Sequence, residues 1–101
     1  MAQISGKVIA ILPVQSGENE RGEWVRGGMV IETLDSPSVK LALSTFGKRR
    51  TEQITQLTLG EVIVVTYQPE SREFMGKWYN ELRLTEILTT TKRAMNDQSV
   101  D

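Results

Sequence analysis

Five runs of strand-forming residues lie between positions 4 and 87, and two of them carry glycine in mid-run. They span 4–14, 23–33, 39–46, 61–67 and 78–87. Laid out flat, five such strands would leave two unpaired edges open to aggregation, and closure into a small barrel removes both. Gly6 and the Gly27-Gly28 pair point the same way, because glycine inside a strand suits a bulge, strong coiling or a barrel corner. Period-two alternation predicts the inward set. It comprises Ile4, Gly6, Val8, Ala10 and Leu12 of the first run, Val25, Met29 and Ile31 of the second, Val39, Leu41 and Leu43 of the third, and Leu82 and Leu84 of the fifth.

Between the third and fourth runs the period of two is lost. Ile54, Leu57 and Leu59 form a short apolar stripe that predicts one or two helical turns within 47–60, with Thr51 as cap and Gly60 as stop. Residues 15–22 and 68–77 are polar and read as loops. The order strand, strand, strand, short helix, strand, strand predicts an all-β, five-stranded OB-fold Greek-key barrel with its helix between strands 3 and 4. An SH3-like barrel is the competitor, and it lacks a helix at that point. Residues 1–88 are expected to form this one domain, and residues 89–101 a polar, flexible tail.

Among 101 residues there is no histidine and no cysteine. That removes Ser-His-Asp and Cys-His catalysis, disulfides and the usual zinc ligand sets. No glycine-rich phosphate loop and no spaced carboxylate pair stands out, so no enzyme activity, cofactor or metal is expected. The apolar run VIAILPV (8–14) is broken by Pro13 and lacks a small-residue cleavage site, so the chain is expected to be cytoplasmic. The formal charge is −1, so the whole-chain field neither draws nucleic acid in nor repels it.

Four stretches carry a family resemblance: GKVIAILPVQSG from Gly6, GEWVRGGMVIET from Gly22, GEVIVVTYQPESRE from Gly60 and GKWYNELRLTEI from Gly76. Together they resemble a family of small bacterial proteins catalogued as a domain of unknown function, over roughly residues 3–88. The resemblance implies an OB-fold similar to that of bacterial single-stranded DNA-binding proteins. The chain departs from those proteins at its end. AMNDQSVD is no acidic tip ending in an aromatic, so recruitment of repair partners through such a tip is not implied.

An OB barrel binds across strands 2 and 3, between the loop joining strands 1 and 2 and the loop joining strands 4 and 5. The borders of those loops hold Trp24, Phe74, Trp78 and Tyr79, four of the six aromatic residues in the chain. Arg21, Arg26, Arg72 and Lys77 lie beside them, with Lys40 and Phe46 on the outward parity of strand 3. Aromatic faces stack bases while cations follow phosphates, so single-stranded nucleic acid, DNA or RNA, is the expected ligand, and the resemblance implies single-stranded DNA. Trp24, Phe74 and either Trp78 or Tyr79 are assigned to stacking, since adjacent strand residues face opposite ways. Arg26, Lys40, Arg72 and Lys77 are assigned to phosphates. Segment 15–23 has a local charge of −2 and segment 68–77 a charge of zero, which predicts modest affinity with steep loss in salt. A protein-interaction or assembly module of phage or mobile-element origin is the alternative. Lys48-Arg49-Arg50 reads as a solvated loop away from the groove. Ile9, Ile11 and the doubly apolar fourth strand predict a homo-oligomer, a dimer first, through strands 1 and 4.

Overall fold

The computed structural model describes residues 2–90. Strands and helix follow the predicted order: β1 (Ala2–Asn19), β2 (Gly22–Thr33), β3 (Lys40–Phe46), α1 (Lys48–Thr55), β4 (Val62–Phe74) and β5 (Lys77–Thr90). The strands close into a barrel in the order β1-β2-β3-β5-β4. Neighbours are antiparallel except β3 and β5, which meet in parallel through Leu43↔Leu82 and Ser44↔Arg83. This is the expected OB-type barrel with its helix between β3 and β4.

Val8, Met29, Ile31, Leu43, Ile54, Ile63, Val65 and Leu84 form the buried core. In β2 and β3 Met29, Ile31 and Leu43 are buried and Leu41 packs on them, as alternation predicts, but Val39, also predicted inward, precedes β3 and is 52% exposed. The second half of β1 departs from the alternation. Val8 pairs with Ile31 and Ala10 with Val30, so Ile9 is an extra residue, and a second irregularity falls between Leu12 and Gln15 at Pro13. A bulge reverses the facing of everything after it. Ile11 therefore packs on the core, while Leu12 is exposed, in place of the predicted Ala10 and Leu12.

Gly6 sits where β1 pairs with β2 and β4 at once, opposite Thr33 and Ile63. The Gly27-Gly28 pair faces the second irregularity of the β1–β2 ladder, between Leu12↔Gly28 and Gln15↔Arg26, while β2 runs in register with β3 through both residues. These glycines also permit close approach: a Cβ on Gly27 would lie 2.8 Å from the Thr51 methyl, and one on Gly28 would lie 2.8 Å from the Leu43 carbonyl oxygen. A backbone oxygen cannot swing aside. Gly28→Ala is expected to cost about 1–3 kcal/mol, read as a lower urea midpoint at unchanged slope.

The predicted loops are strands. The β1–β2 ladder runs out to Asn19↔Gly22 and the β4–β5 ladder to Phe74↔Lys77, so two β-ribbon arms project from the barrel. Both faces of these arms meet solvent, which removes the apolar alternation by which strands are recognised. Residues 89 and 90 complete β5, and the tail expected beyond them lies outside the described residues.

Helix α1 starts at Gly47, without a side-chain cap. Thr51, expected as that cap, is buried inside the helix, its hydroxyl 3.0 Å from that of Thr45. The helix-to-β4 connection is tied by Glu61, whose buried carboxylate accepts the Thr58 N–H at 2.9 Å. No helix among the described residues is long and apolar enough to cross a membrane.

Candidate nucleic-acid interface

Outward-facing residues of β2, β3, β4 and β5 meet around Phe46, at the last position of β3. Its ring is 45% exposed, and Arg26 and Arg83 each place a guanidinium carbon 5.2 Å from its centroid. Arg26 comes from β2, directly opposite Phe46, and Arg83 from β5, opposite Ser44. Each arginine also meets a carboxylate: Arg26 lies 3.7 Å from Glu81, and Arg83 lies 3.0 Å from Glu70. Glu70 and Glu81 face each other across the β4–β5 ladder. Two like charges so placed would repel, and the two arginines neutralise them.

Continuing outward along the β4–β5 arm, Arg72 pairs with Tyr79 and Phe74 with Lys77. Alternation keeps these on the same side of the ribbon as Glu70, Glu81 and Arg83. Phe46, Arg72, Tyr79 and Arg83 accordingly line one depression of ≈ 130 Å³ together with both glutamates. Tyr79 is 47% exposed and Phe74 61%, so both rings have a free face. Among the described residues Arg72, Lys77 and Lys40 make no ion pair.

The structure thus brings together Arg26, Arg72, Phe74, Lys77 and Tyr79 of the predicted set. Lys40 shares the outward parity at the far end of β3, about 20 Å along the strand from Phe46. Trp78 opposes Glu73 and turns to the other side of the arm; it is 69% exposed, so it is neither core nor part of this face. Trp24 lies over Gly17 of the neighbouring strand and lines a separate cleft against α1, with Val14, Val25, Lys48 and Glu52. Lys48 is therefore two residues from Phe46 and beside Trp24, closer to the Phe46 cluster than the sequence suggests. Two residues of the cluster were not in the predicted set. Phe46 had a signal in its outward parity. Arg83 had none, because only the β3–β5 crossover pairing brings it to Phe46.

Residues 3–87 match DUF3127, a domain of unknown function. The chain belongs to the DUF3127 family. Among solved structures this DUF3127 domain is similar to the mitochondrial single-stranded DNA-binding protein of S. cerevisiae, at 12% identity and a TM-score of 0.62, covering 86% of this chain and 90% of that one. It is also similar to the SSB domain of a Synechococcus sp. protein, at 13% identity and a TM-score of 0.57, covering 88% and 96%. At such identities the likeness shows a shared fold. No curated protein matches the DUF3127 chain significantly. Among its described residues no group of three or more acidic side chains is placed to hold a metal ion.

Proposed function

We propose that this DUF3127 domain is a non-catalytic module that binds single-stranded nucleic acid, DNA in particular, along the outward face of β2, β3 and the β4–β5 arm. The observation that carries the reading is the grouping of three exposed rings with four cations on one face. Phe46, Tyr79 and Phe74 would stack bases, and Arg26, Arg83, Arg72 and Lys77 would follow the backbone. The fold it shares with two single-stranded DNA-binding proteins supports the same reading.

Because Arg26 and Arg83 already hold carboxylates, an incoming phosphate exchanges one anion for another there, with little net counterion release. The unpaired Arg72, Lys77 and Lys40 supply the release. Single strands give a slope of log K on log salt near −0.7 per neutralised phosphate, so the expected slope is about −2. The test is anisotropy of an end-labelled oligothymidylate of about 20 nucleotides, longer than one OB-fold site, against duplex of equal length. Tryptophan fluorescence is the poorer probe, since Trp78 turns to the other side of the arm and Trp24 lines the cleft against α1, outside the Phe46 depression. Preference for the single strand with that slope supports the reading. No binding at tens of micromolar at low salt overturns it.

One observation favours protein binding instead. Glu18 and Glu23 oppose each other on the β1–β2 arm with no arginine against them among the described residues, beside the Trp24 cleft of ≈ 590 Å³. A homodimer through β1 and β4 would use a different set of residues from the one the sequence suggested. The bulge takes Ile11 inward, and the apolar residues facing out are half-buried Ile9, Val62 and Val64 with exposed Leu12 and Val14. Light scattering after size exclusion is expected to give the mass of two chains if that pairing forms.

A further inference from the structure

The binding face carries its own anions. Arg26 and Arg83, the cations nearest its centre, each make the same two contacts: a carboxylate and the face of Phe46. A base that stacks on Phe46 must displace a guanidinium from the ring, and a phosphate that takes the guanidinium must displace a carboxylate. The two displacements are coupled, because ring and carboxylate hold the same side chain. All four charged side chains are partly exposed, between 24% and 44%, so the pairs are screened and open at modest cost.

We propose that Glu70 and Glu81 are built-in competitors of the nucleic-acid backbone, holding a latch closed over Phe46 in the free protein. In the closed state Arg83 rests between Glu70 and Phe46, and Arg26 between Glu81 and Phe46. In the open state the ring takes a base, the guanidinium groups take phosphates, and the two carboxylates return to solvent with counterions. The latch makes the free protein a weaker polyanion binder than its arginine count suggests. It also relieves the repulsion that the Glu70↔Glu81 pairing would otherwise impose. This inference rests on the single-strand reading of the same face.

The test is the double variant Glu70→Gln/Glu81→Gln beside a control of equal charge change off the face, Glu20→Gln/Glu52→Gln. Both pairs of positions are solvent-accessible, and far-UV circular dichroism checks folding. Without competing carboxylates the oligothymidylate affinity is expected to rise about three- to tenfold. The salt slope is expected to steepen by about 1.4, two further phosphates at 0.7 each. The control is expected to keep the wild-type slope. If wild type binds and the Glu70/Glu81 variant matches the control in affinity and slope, the competitor inference is overturned while the single-strand reading stands. If only the Glu70/Glu81 variant binds, the latch is supported, as one tight enough to silence the free protein, and the reading of the wild-type chain as a binder fails. If neither binds, both are overturned.

Discussion

Phe46→Ala is expected to weaken single-strand binding between about 5- and 150-fold, the range that loss of one base–aromatic stack at about 1–3 kcal/mol gives. Phe46 is the one ring at the meeting of β2, β3 and β5. Its removal deletes a stacking surface and the support that orients Arg26 and Arg83. Folding is expected to survive, since Phe46 is half exposed and lies outside the core cluster. Phe46→Tyr keeps a ring face in place and is expected to restore most of the affinity. Trp78→Ala is the decisive comparison. It removes a larger and more exposed aromatic, but from the opposite side of the β4–β5 arm, and is expected to change affinity less than twofold. A chain that loses binding with Trp78 and keeps it without Phe46 would place the ligand on the other face of the arm. Anisotropy titrations at one low salt concentration read all three variants.

What the amino-acid pattern reveals of this protein follows the limits of period-two alternation. Where a strand has one wet and one dry face and no bulge, as in β2 and β3, the inward residues are legible one by one. The bulge at Ile9 in β1 shifts the facing of Ile11 and Leu12, and a bulge leaves no signature that composition alone exposes. The two arms escape notice for a different reason. Their strands are held by backbone pairing with solvent on both sides, so residues such as Gln15, Gln68 and Ser71 look like loop residues while sitting in register. The helix is legible from Ile54, but its start is not. Thr51, the natural capping candidate, is drawn inside by Thr45, a partner six residues away that only the fold brings near.

The proposed face divides along the same line. Aromatic and basic residues at the arm borders announce themselves, and five of the eight predicted positions share one surface. Which aromatic belongs to that surface depends on register. Trp78 and Tyr79 are equivalent in sequence and opposite in space. The carboxylates invert a sequence argument. Counted along the chain, Glu70 cancels a cation and argues against nucleic acid. Placed in the fold, it sits 3.0 Å from Arg83 and becomes part of how the face would bind.

Ile54→Ala is expected to be the most damaging single change to the fold, at about 2–5 kcal/mol out of a total stability of about 5–15 kcal/mol for a domain of this kind. Helix α1 has eight residues, too few to persist in water on its own. Tertiary anchors hold it. Ile54 is 1% exposed and belongs to the same cluster as Met29 and Leu43, while Thr51 sits against Thr45 over Gly27. Truncating Ile54 opens a cavity where the helix meets the barrel and removes the main apolar tie between them. The exposed neighbour Thr55→Ala is expected to stay within about 0.5 kcal/mol of wild type. Urea unfolding followed by circular dichroism measures both. The two large-effect variants also separate in how they lose binding. Phe46→Ala weakens affinity with every molecule folded. Ile54→Ala leaves Phe46, Arg26 and Arg83 intact, so its folded fraction is expected to bind with wild-type affinity, and the loss appears as a reduced number of active molecules that recovers in a stabilising osmolyte. An affinity defect of Ile54→Ala that persists when folding is restored would mean that α1 itself contacts the strand.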